Sequence, residues 1–173
     1  MYLTTLSQYC CEYMFGSCKY ITKPPKLLAT TLADSCYRSM FSYCNSLMEV
    51  PELPATILAN NCYNGMFGYC KNVTKAPELP SITLANNCYC GMFSGTGLIE
   101  APELPATTLS YGCYSNMFYG CNDLKKTPTL PATTLVSSCY SYMFTSCANL
   151  VEISNLPATT LETNCYSYMF SSC

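Results

Sequence analysis

One motif, Leu-x3-Cys-Tyr-x2-Met-Phe, returns along the whole chain and restricts it to repeat architectures. Its first cysteine falls at Cys10, Cys36, Cys62, Cys88, Cys113, Cys139 and Cys165, a period of 26 residues with one step of 25. All seven phenylalanines hold a single place in the unit, at Phe15, Phe41, Phe67, Phe93, Phe118, Phe144 and Phe170. A unit of this size cannot enclose its apolar face alone, so consecutive units must stack and share one continuous core. The chain therefore reads as one repeat domain over 1–173, of about seven coils.

Each unit has two halves. In one of them Leu58, Cys62, Met66 and Cys70 recur every four residues, and Tyr63 and Phe67 follow one place on. At about 100° per residue these share one arc, with Asn60, Asn61, Asn64 and Gly68 mostly outside it. The spacing predicts a short amphipathic helix, partly 3-10, near 3–18, 29–44, 55–70, 81–96, 106–121, 132–147 and 158–173. Thr56, or Thr107 and Thr108 in a sister unit, stands where a cap would. The other half, Val73 to Pro80 in the same unit, opens on an aliphatic residue and carries Leu at its seventh place. It predicts a very short strand, ended by a proline that cannot donate to a ladder. Such strands would stack in parallel about 4.8 Å apart. The expected fold class is α/β, a solenoid of 26-residue repeats with one short parallel strand and one short helix each.

Charge supports this register independently. The third strand position reads Lys23, Glu49, Lys75, Glu100, Lys126, Glu152, so its sign alternates from coil to coil. In-register stacking sets each charge beside opposite ones, a ladder that specifies register. Each exposed pair is worth at most about 1 kcal/mol.

Composition narrows function. Charged residues are only 10% of the chain and the net charge is −2, with no Lys/Arg run, which argues against a nucleic-acid partner. No stretch approaches the roughly 18 apolar residues of a membrane span. With no histidine in the chain, Ser-His and Cys-His dyads are absent, no glycine-rich phosphate loop appears, and a non-enzyme without cofactor is expected. The fifteen cysteines follow Cys-x7-Cys spacing. Eight helical residues span about 12 Å, too far to share a metal ion or a disulfide within one coil. Buried packing residues are the expectation, with bridges between coils as the alternative. Cys11 and Cys90 lie off both cysteine columns and are the candidate reactive thiols.

The run Leu-Pro-Ala-Thr-Thr-Leu followed by Cys-Tyr-x2-Met-Phe-x2-Cys-x2-Leu, as at Leu130 to Leu150, resembles the BspA-like leucine-rich repeat proteins. The family's Phe-x2-Cys-x2-Leu core corresponds to Phe144, Cys147 and Leu150, and the resemblance covers essentially the whole chain. It implies a right-handed leucine-rich-repeat-type solenoid from surface or secreted proteins of anaerobic, host-associated microbes, several of them adhesins. An extracellular or cell-surface location follows from the resemblance. The opening residues lack the pattern of a signal peptide, which leaves the cytoplasm open as the alternative.

Candidate partner-binding residues are of two kinds. Glu52, Glu78 and Glu103 form a row of like charge two places after the ladder, preceded by Lys26 and followed by Thr129 and Asn155. Tyr43, Tyr69, Tyr119, Tyr142 and Tyr168 fall at variable positions, unlike the regular column Tyr37, Tyr63, Tyr89, Tyr114, Tyr140 and Tyr166. Exposed tyrosine offers large contact area at little entropic cost. The one irregular unit, Ser94-Gly95-Thr96-Gly97, loses a residue and replaces a cysteine by Thr96. The expected function is a protein-binding or adhesion module with a protein or glycoprotein partner. The alternative is a spacer that self-associates end to end, since the last unit repeats an internal one with no polar cap and a longer array is expected.

Overall fold

The computed structural model describes residues 4–173, so Leu3, where the first expected helical half opens, lies outside the described residues. Among these residues there is no α-helix. Among the described residues strand pairing is limited to four isolated parallel bridges, Thr31–Ile57, Thr83–Thr108, Lys126–Glu152 and Thr134–Thr160. The expected α/β leucine-rich-repeat solenoid, with a helix and a laddered strand in each coil, is therefore corrected. The chain is a stack of coils built almost wholly from turns and extended loop.

Each expected helix is instead a run of turns, at 8–17, 34–43, 60–69, 86–95, 111–120, 137–146 and 163–172. The hydrogen bonds of the second coil show how it works. The N–H groups of Cys36, Arg38, Met40, Ser42 and Cys44 donate to the carbonyl three residues back, at 3.1–3.2 Å. Those of Ser35, Tyr37, Ser39, Phe41 and Tyr43 donate to carbonyls of the next coil, at 2.8–3.0 Å. Backbone donors thus alternate between closing a turn and tying one coil to the next, which satisfies the segment as fully as a helix would. Every second turn needs a left-handed third residue, as type II turns do. Three residues per coil supply it, four apart: Ser35, Ser39 and Tyr43 in the second, Asn61, Gly65 and Tyr69 in the third.

This explains the departure from the helical reading. Apolar residues at every fourth position fit a helix over ten residues and fit a run of four-residue turns equally well. Glycine and asparagine accept the left-handed region most readily, and at Asn87, Gly91, Gly95 or Gly112, Asn116, Gly120 they hold the three positions that need it. Thr56, Thr107 and Thr108 cap nothing; their N–H groups donate to Thr30 and Ile82 of the preceding coil at 3.2 Å.

The repeated motif builds the core. Its Cys, Tyr, Met and Phe are fully buried in the internal coils. The regular tyrosines stack ring on ring with centroids 5.8–6.0 Å apart, and the phenylalanines form a parallel column at 5.4–5.9 Å. Each such pair contributes about 0.5–1.5 kcal/mol beyond area burial. The second cysteine column does more than fill space. The thiols of Cys44, Cys70, Cys121, Cys147 and Cys173 each donate to a phenylalanine carbonyl of the preceding coil at 2.9–3.1 Å.

The proline half runs extended. Buried Pro51, Leu53 and Ala55 alternate with exposed Glu52, Pro54 and Thr56, the period-two pattern of strand-like backbone. It lacks a ladder because proline has no N–H to give. In the shortened unit, Gly97 alone joins Thr96 to buried Leu98, and a Cβ there would lie 2.5 Å from the Lys71 carbonyl oxygen.

Candidate functional surface

The two halves of the coil present different faces. On the proline side, Lys23 pairs with Glu49 at 3.2 Å and Lys126 with Glu152, whereas Lys75 and Glu100 flank a shallow depression without pairing. Both bridges are more than half exposed, so each is worth well under about 1 kcal/mol. Glu52, Glu78 and Glu103 are all exposed. Glu52 and Glu78 line a second depression among Pro51, Pro54, Pro77 and Pro80. Glu103 accepts a long bond, 3.5 Å, from the Thr129 hydroxyl one coil on. No group of three metal-binding side chains converges among the described residues.

Burial holds the thiols of Cys11, Cys36, Cys62, Cys70, Cys90 and Cys113 protonated. Each of the fifteen cysteines is unbridged. Burial pushes Cys36, Cys62, Cys70 and Cys113 up to about 12. Cys11 is 3% exposed and fills the first coil's place in the regular tyrosine column. Burial, then its hydrogen bond with Cys10, pushes that thiol up to about 11. Cys90 is also pushed up by burial, partly offset by the positive charge of Arg38. A thiol so shifted is almost entirely un-ionised at neutral pH, which makes both poor nucleophiles.

The turn face carries the irregular tyrosines. Tyr43 stacks on Tyr69 at 4.8 Å and Tyr142 on Tyr168 at 4.9 Å, all four with exposed rings. The first pair occupies the last left-handed column of the coil and the second pair the middle one. Tyr43, Tyr69 and Tyr119 come together around one groove of about 480 Å³, while Tyr142 and Tyr168 lie outside it.

The groove arises where two neighbouring columns become small at once. The residue before the buried Met is Ser39, Gly65 and Gly91 in the second to fourth coils, between Tyr13 in the first and Asn116 in the fifth. The residue after the buried Phe is Ser42, Gly68 and Ser94, followed by Tyr119. These small side chains make a floor across three coils, the Tyr43–Tyr69 stack stands beside it, and Tyr13 and Tyr119 close its ends. The lining contains only Tyr, Ser, Gly and Asn. Tyr13 and the floor were not among the residues singled out from the sequence. The signal was there, in two columns that are both small only in the second to fourth coils, since Tyr13 interrupts one at the first coil and Asn116 and Tyr119 close both at the fifth. No protein-family model, curated protein or solved structure matches the chain.

Proposed function

We propose that the chain is a non-enzymatic binding module whose partner seats in the groove of the turn face, and that its role is adhesion to a protein or glycoprotein surface. The lining of Tyr, Ser, Gly and Asn carries this reading. Rigid aromatic area combined with small, adaptable hydrogen-bonding groups is the chemistry of antibody recognition loops. The resemblance to BspA-like surface proteins supports an extracellular setting, and the absence of histidine together with protonated thiols supports a non-catalytic role. The test is binding of the fluorescently labelled chain to cultured epithelial cells. Saturable binding that falls about tenfold in Gly91→Tyr is expected. No saturable binding, or equal binding by the variant, would sink the proposal. The variant should fold, because Tyr13, Tyr142 and Tyr168 hold the same column at φ 52–57° and a Cβ on Gly91 meets nothing within 4 Å.

A specific observation favours the second reading, self-association. Within the described residues the carbonyls of Gln8, Cys10, Glu12, Met14 and Gly16 accept no backbone hydrogen bond, and the N–H groups of Asn164, Tyr166, Tyr168, Phe170 and Ser172 donate none. The two rows match in spacing and sign, so one more coil, of this chain or of another copy, could seat on either. Light scattering over a concentration series decides: end-to-end oligomers support the reading and a constant monomer mass removes it.

A further inference from the structure

Of the twelve asparagines in the chain, only Asn72 stands two residues before a serine or threonine, in the run Asn72-Val73-Thr74. This is the acceptor pattern for N-linked glycosylation, with a residue other than proline in the middle and a hydroxyl two places on. A pattern so short needs support from where its three residues sit. Val73 is fully buried while Asn72 and Thr74 are both exposed. The middle residue is thus anchored in the core, and the amide and the hydroxyl turn outward together, as alternate residues of extended backbone do.

The space around Asn72 is set by the one irregular unit. On one side its amide donates a hydrogen to the Asn45 carbonyl of the preceding coil at 2.7 Å, and its second hydrogen meets no acceptor among the described residues. On the other side the following coil is one residue short. Where the third coil has Lys71 and Asn72 between Cys70 and Val73, the fourth has Gly97 alone between Thr96 and Leu98. That glycine is pressed against the Lys71 carbonyl, where a Cβ would lie 2.5 Å from the oxygen. No side chain of the fourth coil therefore stands beside Asn72 in its column, a place that Asp123 and Asn149 fill in later coils. A glycosylated asparagine keeps one amide hydrogen. The bond to Asn45 can survive the modification, and the sugar has the cleared side to occupy.

We propose that Asn72 is the acceptor of an N-linked oligosaccharide, with Thr74 as the hydroxyl that the transferring enzyme recognises. The co-reactant is a sugar chain carried on a polyprenyl diphosphate. The Asn72 Nδ2 bonds to the anomeric carbon of that sugar, the bond from this carbon to the diphosphate oxygen breaks, the lipid diphosphate leaves, and the amide gives up one proton. The reaction takes place in a secretory compartment, in keeping with the resemblance to surface proteins, and is independent of what the turn-face groove binds. A glycan here stands on the third of seven coils, outside the groove lining and away from the open rows of the first and last coils. It adds a bulky solubilising group to a chain of which only 10% is charged.

The experiment expresses the full chain behind a cleavable secretion leader in cultured insect cells. Secreted and cell-retained protein are both analysed by intact mass and by peptide mapping, before and after treatment with peptide N-glycosidase. The treatment should lower the mass and leave aspartate at position 72, the mark of a removed N-glycan. Asn72→Gln and Thr74→Ala should each abolish the glycan, and Thr74→Ser should retain it. Because both side chains are exposed, these variants should fold like the parent. The glycosylated chain should melt no lower than the same chain after enzymatic removal of the sugar. Protein without sugar at Asn72, sugar at Asn72 that persists in Thr74→Ala, or a glycosylated form that melts clearly below its sugar-free counterpart would each overturn the proposal. None of these results touches the groove, whose own test is the loss of cell binding in Gly91→Tyr.

Discussion

Replacing Phe118 by alanine tests whether the stacked rings hold the coils together. Phe118 is fully buried, with its ring between Phe93 at 5.9 Å and Phe144 at 5.4 Å, both within 10° of parallel. Truncating a buried Phe costs about 3–5 kcal/mol in lost transfer energy and residual cavity. Two ring pairs account for about 0.5–1.5 kcal/mol each of that. Because each coil contacts only its neighbours, damage in the fifth of seven coils divides the stack into two short blocks. Phe170 has a single ring neighbour, Phe144 at 5.6 Å, and is only partly buried, so Phe170→Ala should cost clearly less. The assay is urea unfolding followed by far-UV circular dichroism, with a Phe93→Leu/Phe118→Leu double-mutant cycle to isolate the pair. Coupling of about 0.5–1.5 kcal/mol is expected. Were Phe118→Ala to unfold within about 0.5 kcal/mol of the parent, as a surface substitution does, the inward phenylalanine column would be wrong.

Three further outcomes follow from the same geometry. Tyr89 and Tyr140 bury hydroxyls that meet no partner, so Tyr89→Phe should leave the melting temperature unchanged or raise stability by up to about 1–3 kcal/mol, and a loss beyond 1 kcal/mol would show that the hydroxyl is bonded. Gly97→Ala should destabilise strongly, because its Cβ would stand 2.5 Å from the Lys71 carbonyl oxygen, which is backbone and cannot swing aside; a melting curve like the parent's would contradict that close approach. Stability should also fall in alkali. The folded state raises Cys62, Cys70 and Cys147 from 9.0 to about 12, so it binds protons more tightly than the unfolded chain. Their contribution is complete below about pH 9 and is lost as pH rises from 9 towards 12. A melting temperature constant from pH 7 to 11 would contradict this.

The sequence by itself determined which side chains face inward. A repeat carries each residue onto its copy one coil away, so a Cys, Tyr, Met or Phe present in nearly every unit becomes a buried column whatever the local backbone does. It also determined which lysines and glutamates become neighbours along the stack, since Lys23 and Glu49 share one place in consecutive units. Only the tertiary structure decided between helix and turn. Apolar residues four apart suit both over ten residues, and the distinguishing quantity is the sign of φ at every fourth residue. That sign is set by hydrogen bonds to the next coil, a long-range partner that no local pattern displays; at Tyr43 and Ser146 the left-handed backbone is imposed on residues with no preference for it. Two further features have the same origin. The thiol bonds of Cys70 and its counterparts reach a carbonyl in the preceding coil. The groove exists because small residues of adjacent columns in three different coils are brought side by side.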